Sequence, residues 1–198
     1  MDLIATLQCI DQPGIVHAMT TAVLSCDGNI IENQQFTDSA TNTFVMRTRF
    51  ETSRSLADAR KSFADGLDKF SPALEIRETA KKPRALVLVT KESHCLRDLM
   101  YLLELGELPI EIPLVISNHE ELRSLVESHN IPFMYLPVAD KNKAEQEKIM
   151  ISKISELDID FVVLARYMQI LSGEFCRAMP GKIINIHHSF LPGFKGAK

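Results

Sequence analysis

Two residues near the carboxyl end of the chain have the types and the spacing for chemistry on a carbonyl. Asn185 and His187 lie one residue apart in Ile183-Ile184-Asn185-Ile186-His187-His188-Ser189. The apolar run Ile183 to Ile186 reads as a short buried strand broken by one amide. Strand side chains alternate with period two, so the amide and the imidazole leave one face together at the strand's end. An amide N–H can hold an oxygen that becomes negative, and an imidazole can move a proton near neutral pH. Burying an Asn without partners costs about 1–3 kcal/mol, so Asn185 either ties down a loop or serves a site. Both readings stand on the pattern alone. His187 and His188 are adjacent and point to opposite faces, so no metal site is expected of them. Leu191-Pro192-Gly193 then turns the chain.

The run Asn185-Ile186-His187-His188-Ser189-Phe190-Leu191-Pro192, followed by Lys195-Gly196, resembles the signature of folate-dependent formyl transfer and hydrolysis enzymes. Within that group the stretch His187 to Lys198 is most similar to the formyltetrahydrofolate deformylases. The resemblance implies Asn185 as oxyanion donor, His187 as proton carrier, and His188 and Ser189 among the substrate-binding residues. A second segment, Leu164-Ala165-Arg166-Tyr167-Met168-Gln169-Ile170-Leu171-Ser172, resembles the loop that holds the pterin ring in this family. By position it implicates Arg166, Met168, Gln169, Ile170 and Leu171, with core packing as the alternative for the three apolar ones. The implied reaction is hydrolysis of 10-formyltetrahydrofolate to tetrahydrofolate and formate, which supplies purine biosynthesis and balances one-carbon pools. The folate is then the substrate and no cofactor is expected. The family also uses an aspartate further along, beyond Lys198. The catalytic domain is therefore expected to be incomplete on its C-terminal side, and turnover by these 198 residues alone is not expected.

The elements that must position these residues are legible upstream. Ala85 to Val89 is a continuous apolar run, as in a strand covered on both faces. Similar runs recur at Ile110–Ser117, Pro132–Leu136, Phe161–Ala165 and Ile183–Ile186, with helical patterns between them. This alternation predicts a parallel α/β sheet, which the resemblance makes a Rossmann-like formyltransferase-type domain. Ligands of such sheets bind beyond the carboxyl ends of the strands. Thr90 to His94, Ser117 to His119, Arg166 to Leu171, Asn185 and His187 all fall there.

The first eighty residues have another plan. Strand, helix, strand, strand, helix, strand gives βαββαβ, the ferredoxin-like order. Asp11 is expected to cap the first helix, with Pro13 in its first turn, and Gly28 to take a left-handed conformation after it. Phe44, Met46, Thr48 and Phe50 should share one face of the third strand. This order, with Asp11-Gln12-Pro13-Gly14-Ile15-Val16 in the first strand–helix turn, resembles the amino-acid-binding regulatory modules called ACT domains. That resemblance implies effector contacts at Asp11, Gly14, Ile15, Val16, Asn29 and Ile30, and self-association through this module into a homo-oligomer. Effector binding and pure dimerisation both remain open. The polar stretch Glu78 to Arg84, broken by Pro83, reads as a linker. The domains are accordingly placed at 1–80 and 85–198, joined by 81–84.

Bulk properties narrow the partners. Apolar residues make up 45% and charged residues 24% of the chain, an ordinary globular composition. A net charge of −4 argues against a nucleic-acid surface. No run reaches the roughly 18 apolar residues of a membrane span. The opening Met-Asp-Leu-Ile has no basic region ahead of an apolar core, so no signal peptide is expected. Cys9, Cys26, Cys95 and Cys176 lie far apart with no C-x-x-C pair, as in a reduced cytoplasmic protein.

The acceptor is read from the loop after the first strand of the second domain. Val89-Thr90-Lys91-Glu92-Ser93-His94-Cys95-Leu96 contains no glycine and carries Glu92. A phosphorylated amine would call for a glycine-rich cradle of backbone N–H groups. Water is therefore the expected acceptor. Two other readings are an amino-acid-binding regulatory protein with an inactive second half, and a formyltransferase with an amine acceptor.

Overall fold

A computed structural model of the chain describes residues 1–137 and 142–186. The chain divides into two compact units, Met1–Lys81 and Lys82–Lys198. Among the described residues no helix is long and apolar enough to cross a membrane.

In the first unit, β1 (Asp2–Ile10), α1 (Ile15–Ser25), β2 (Gly28–Asp38), β3 (Thr43–Thr52), α2 (Leu56–Leu67) and β4 (Ala73–Glu78) follow in order. The sheet runs β2-β3-β1-β4 with antiparallel pairing throughout, which is the expected βαββαβ arrangement. Period-two alternation puts Phe44, Met46, Thr48 and Phe50 of β3 inside. Phe50 stacks on Phe63 of α2 with ring centroids 5.4 Å apart. Ser55 and Asp58 form a reciprocal capping box that starts α2.

Two expectations about the first helix are corrected. Asp11 does not cap it, and Pro13 lies ahead of it. The N-cap is Gly14, with φ 96° and no side-chain cap. Asp11 is engaged elsewhere, its N–H donating to the Asn42 carbonyl at 2.9 Å. The chain must then swing into α1 through a left-handed residue, which glycine tolerates best. Gly28, by contrast, is not left-handed; Asp27 takes that role with φ 53°. Glycine is needed at 28 because a Cβ there would sit 2.6 Å from Val23 Cγ1 and 2.7 Å from the Val23 carbonyl.

The second unit carries β5 (Arg84–Val89), α3 (His94–Glu104), β6 (Glu111–Ser117), α4 (Arg123–Glu127), β7 (Phe133–Tyr135), α5 (Lys143–Glu156), β8 (Phe161–Ala165), α6 (Gly173–Ala178) and β9 (Ile183–Ile186). The sheet order is β7-β6-β5-β8-β9, all parallel. Leu96 and Met100 of α3 and Val126 of α4 pack on one face, with Val87 and Val89. Met150 and Ile154 of α5 and Phe175 of α6 pack on the other, with Leu86 and Leu88. Chain direction across the sheet thus reverses between β5 and β8.

The expected buried strand Ile183–Ile186 is a strand, but it is not buried. Among the described residues β9 pairs only with β8, and Ile184 is 56% exposed. Asn185 is exposed as well. An edge strand has a neighbour on one side only, so an apolar run does not bury it. The burial from which both readings of Asn185 started is therefore absent among the described residues.

Gly28→Ala should destabilise the first unit by about 1–3 kcal/mol, the usual cost of overpacking. The expected readout is a lower urea midpoint with an unchanged slope; a wild-type midpoint would contradict the close approach to Val23.

Candidate active site

Parallel pairing aligns the strand ends of the second unit. Val89 is in register with Ser117 and with Ala165, and Ala165 with Ile186. Everything that follows these four residues emerges on one rim. Open α/β sheets bind ligands where strand order reverses, which here is between the exits of β5 and β8.

Hydrogen bonds tie that rim together. Thr90, buried at the end of β5, donates through Oγ1 to the Arg166 carbonyl at 2.8 Å. Ser117 Oγ donates to the Thr90 carbonyl at 3.3 Å and accepts from the His119 N–H at 3.1 Å. Arg166 itself sits at φ 58°, a left-handed conformation sparsely used by residues other than glycine. Its Nε and the Asn118 Oδ1 are buried without a hydrogen-bond partner among the described residues. Two unsatisfied polar atoms on one rim are unusual in a native interior.

From Arg166 the chain runs outside any helix or strand to α6. Tyr167 turns into the core, beside the Glu147 side chain. Burial first, and the Glu147 charge second, push its hydroxyl up to about 12, so it is neutral throughout the physiological range. Met168 and Ile170 do the opposite, at 53% and 84% exposed. Core packing therefore does not account for these two apolar residues. Leu171 is partly buried against the α5/α6 core, and Gln169 is half-buried. The segment ends at Ser172, whose Oγ accepts the Phe175 N–H at 3.2 Å and caps α6.

Asn185 is in register with Leu164, and Ile183 packs on the same core as Leu164. Alternation then puts the Asn185 side chain on the α5/α6 face, the face that holds Tyr167. Asn185 is thus one strand away from the origin of the Arg166–Leu171 loop, on its side of the sheet. His187, His188 and Ser189 lie outside the described residues.

The exit of β5 is acidic. Lys91 and Glu92 are exposed, and Lys91 Nζ is 3.8 Å from Glu121 Oε1. Glu121 also faces His119 at 3.9 Å. Among the described residues no three His, Cys, Asp or Glu side chains are grouped to hold a metal.

The residues expected to bind an effector in the first unit do not meet within one chain. Gly14, Ile15 and Val16 follow the Ile10 end of β1, whereas Asn29 and Ile30 are level with its Asp2 end. Nine strand residues separate those ends by about 27 Å. Ile15 is in addition buried in the core.

One polar anchor of the second unit, Glu147, only 6% exposed on α5, has no place in the sequence reading, and Thr90 enters it only as a residue at a strand exit. Glu147 had a signal: with Met150 and Ile154 it falls at i, i+3 and i+7, the spacing of a buried helical face.

Comparison with known proteins covers both units. The family described as formyl transferase matches residues 83–198. A formyltetrahydrofolate deformylase of Corynebacterium sp. (strain P-1) is 40% identical over 98% of this chain and 69% of its own length. The protein of that name from Bacillus subtilis (strain 168) is 42% identical over 96% of this chain and 65% of its own length. A crystal structure of a formyltetrahydrofolate deformylase from Pseudomonas syringae pv. tomato superposes with a TM-score of 0.87 at 38% identity, covering all of this chain and 67% of that one. The chain thus spans about two thirds of the length of these relatives, and their likeness extends through the first unit as well as the second. It belongs to the formyl transferase family, within the formyltetrahydrofolate deformylases.

Proposed function

We propose that the reaction is hydrolysis of 10-formyltetrahydrofolate to tetrahydrofolate and formate, at the rim between the exits of β5 and β8. The observation that carries water as acceptor is the glycine-free exit of β5, where Glu92 is exposed and Glu121 faces Lys91 at 3.8 Å. Two carboxylates oppose a phosphate electrostatically, and no glycine lets backbone N–H groups close around one. The names of the relatives point the same way.

In this reading the pterin rests against the Arg166–Leu171 loop, where exposed Met168 and Ile170 offer apolar surface and the backbone offers hydrogen bonds. Water adds to the formyl carbon and the carbonyl oxygen becomes negative. The Asn185 amide donates to that oxygen. His187 takes the proton from water and returns one to N10 as the C–N10 bond breaks. Formate leaves and tetrahydrofolate remains. His188 and Ser189 complete the substrate contacts. The chemistry asks for no cofactor, and four free cysteines fit a reducing cytoplasm. Formate made this way would feed purine biosynthesis.

For the first unit we propose an ACT-type regulatory module that associates with a second copy. Its βαββαβ topology supports this, and so does the separation of the two effector groups within one chain. A single copy leaves them about 27 Å apart, so a shared effector site would need residues from two chains.

Two experiments test these readings. In a version extended to the length of the relatives, formate should appear from 10-formyltetrahydrofolate with no amine present, and Asn185→Ala should lower kcat by ~10²–10³ with little change in folate affinity. Formate that appears only after a ribonucleotide amine is added would sink the hydrolase. For the module, sedimentation should give a species heavier than one chain, and one of the twenty amino acids should raise its melting temperature. A monomer indifferent to all twenty would leave the first unit without the proposed role.

A further inference from the structure

The Arg166–Ser172 segment is held at both ends by buried side chains that no folate would need to touch. At its start, Thr90 Oγ1 donates to the Arg166 carbonyl at 2.8 Å. At its end, the Ser172 N–H donates to Glu147 Oε1 at 2.9 Å. Thr90 is 7% exposed and Glu147 6%. Between these clamps the chain makes no helix or strand bond, and it carries Met168 and Ile170 outward.

Both contacts are costly to build without a purpose. The first holds Arg166 at φ 58°, a conformation with a steric penalty for a residue bearing a Cβ. The second buries an acidic side chain on the core-facing stripe of α5, between a cavity of ≈ 260 Å³ and Tyr167. Lys143 and Lys148 line that cavity with Ser172. An apolar residue at 147 would satisfy the core equally well, but it would leave the Ser172 N–H unpaired and the loop free at its distal end. Ser172 also starts α6 through its own side chain, so the Glu147 contact joins loop, helix and α5 at one point.

We propose that Thr90 and Glu147 are positioning residues for folate: together they set the shape of the Arg166–Leu171 loop that receives the pterin. The proposal rests on the folate reading of that loop. Neither side chain touches the reacting atoms. Each acts by fixing one end of a seven-residue span, so that its backbone donors and acceptors are already aimed when the ligand arrives. Preorganisation of this kind is read in affinity, because a loose loop must be ordered at the moment of binding.

The test is the dissociation constant of tetrahydrofolate, measured anaerobically on the full 198-residue chain and on three variants. Glu147→Leu removes the acceptor, Glu147→Gln keeps an acceptor oxygen without the charge, and Thr90→Val removes only the hydroxyl. Glu147→Leu and Thr90→Val should each weaken binding about tenfold, the size of one lost strong hydrogen bond. Glu147→Gln should stay within about twofold of wild type, since its amide oxygen still accepts the Ser172 N–H. Wild-type affinity in Glu147→Leu and Thr90→Val, even with lowered melting temperatures, would make both residues purely structural and overturn the proposal. So would a Glu147→Gln variant as weak as Glu147→Leu. If Glu147→Leu does not fold, the isosteric Thr90→Val decides alone. A wild-type chain that does not bind tetrahydrofolate at all is a different failure: it removes the folate reading itself.

Discussion

Parallel pairing is the constraint on which the second unit depends. Once β5, β6, β8 and β9 run the same way in register, their exits must all leave from one edge. Antiparallel neighbours would have sent alternate loops to opposite ends. The reversal of strand order between β5 and β8 then opens a crevice on that edge, because α3 and α4 turn to one face while α5 and α6 turn to the other. The continuous apolar runs of β5 and β8 are the sequence's way of paying for this geometry, since each is covered on both sides. The polar residues sit where the apolar runs stop.

The rim is built as a polar chain in its own right. Ser117 reaches the Thr90 backbone, Thr90 reaches Arg166, and Glu147 closes the far end of the loop. The buried Nε of Arg166 and Oδ1 of Asn118 belong to the same region and find no partner among the described residues. A rim that is rigid in its backbone and unsatisfied in a few side chains is what a pre-formed site for a polar ligand requires. Its electrostatics select as well. The exposed Glu92 and the Glu121 that faces Lys91 put negative charge at the exit of β5, which fits the proposed uncharged water better than a phosphate.

Much of this was legible in the sequence, and the gaps have physical causes. Among the described residues the strands of both units fall close to where alternation and apolar runs placed them, whereas α5 begins well ahead of the apolar stripe that marks it. The strand ends Thr90, Ser117 and Arg166 could be read from the points where apolar runs stop, and Asn185 from the one amide that breaks such a run. Caps were harder. Asp11 has the chemistry of an N-cap, but it lies three residues ahead of Gly14, where the helix is entered. Gly28 could be taken for a left-handed residue, whereas its real constraint is the approach of Val23, five residues earlier in the preceding helix. Ile183–Ile186 could be taken for a buried strand, because periodicity reports composition and not how many neighbours a strand has. Glu147 was missed because an acidic residue on a helix is usually solvated, although its spacing with Met150 and Ile154 marked it as inward. His187 and its neighbours lie outside the described residues, so the proposed role of His187 as proton carrier stands on its sequence motif.

The folate is proposed to sit at the rim between the exits of β5 and β8. Amide hydrogen exchange of the chain with and without saturating tetrahydrofolate tests it most directly. Slowed exchange is expected in two segments distant in sequence, 90–93 and 166–172, with Met1–Lys81 unchanged. Protection confined to Met1–Lys81, or absent from both rim segments while tetrahydrofolate is bound, would contradict it.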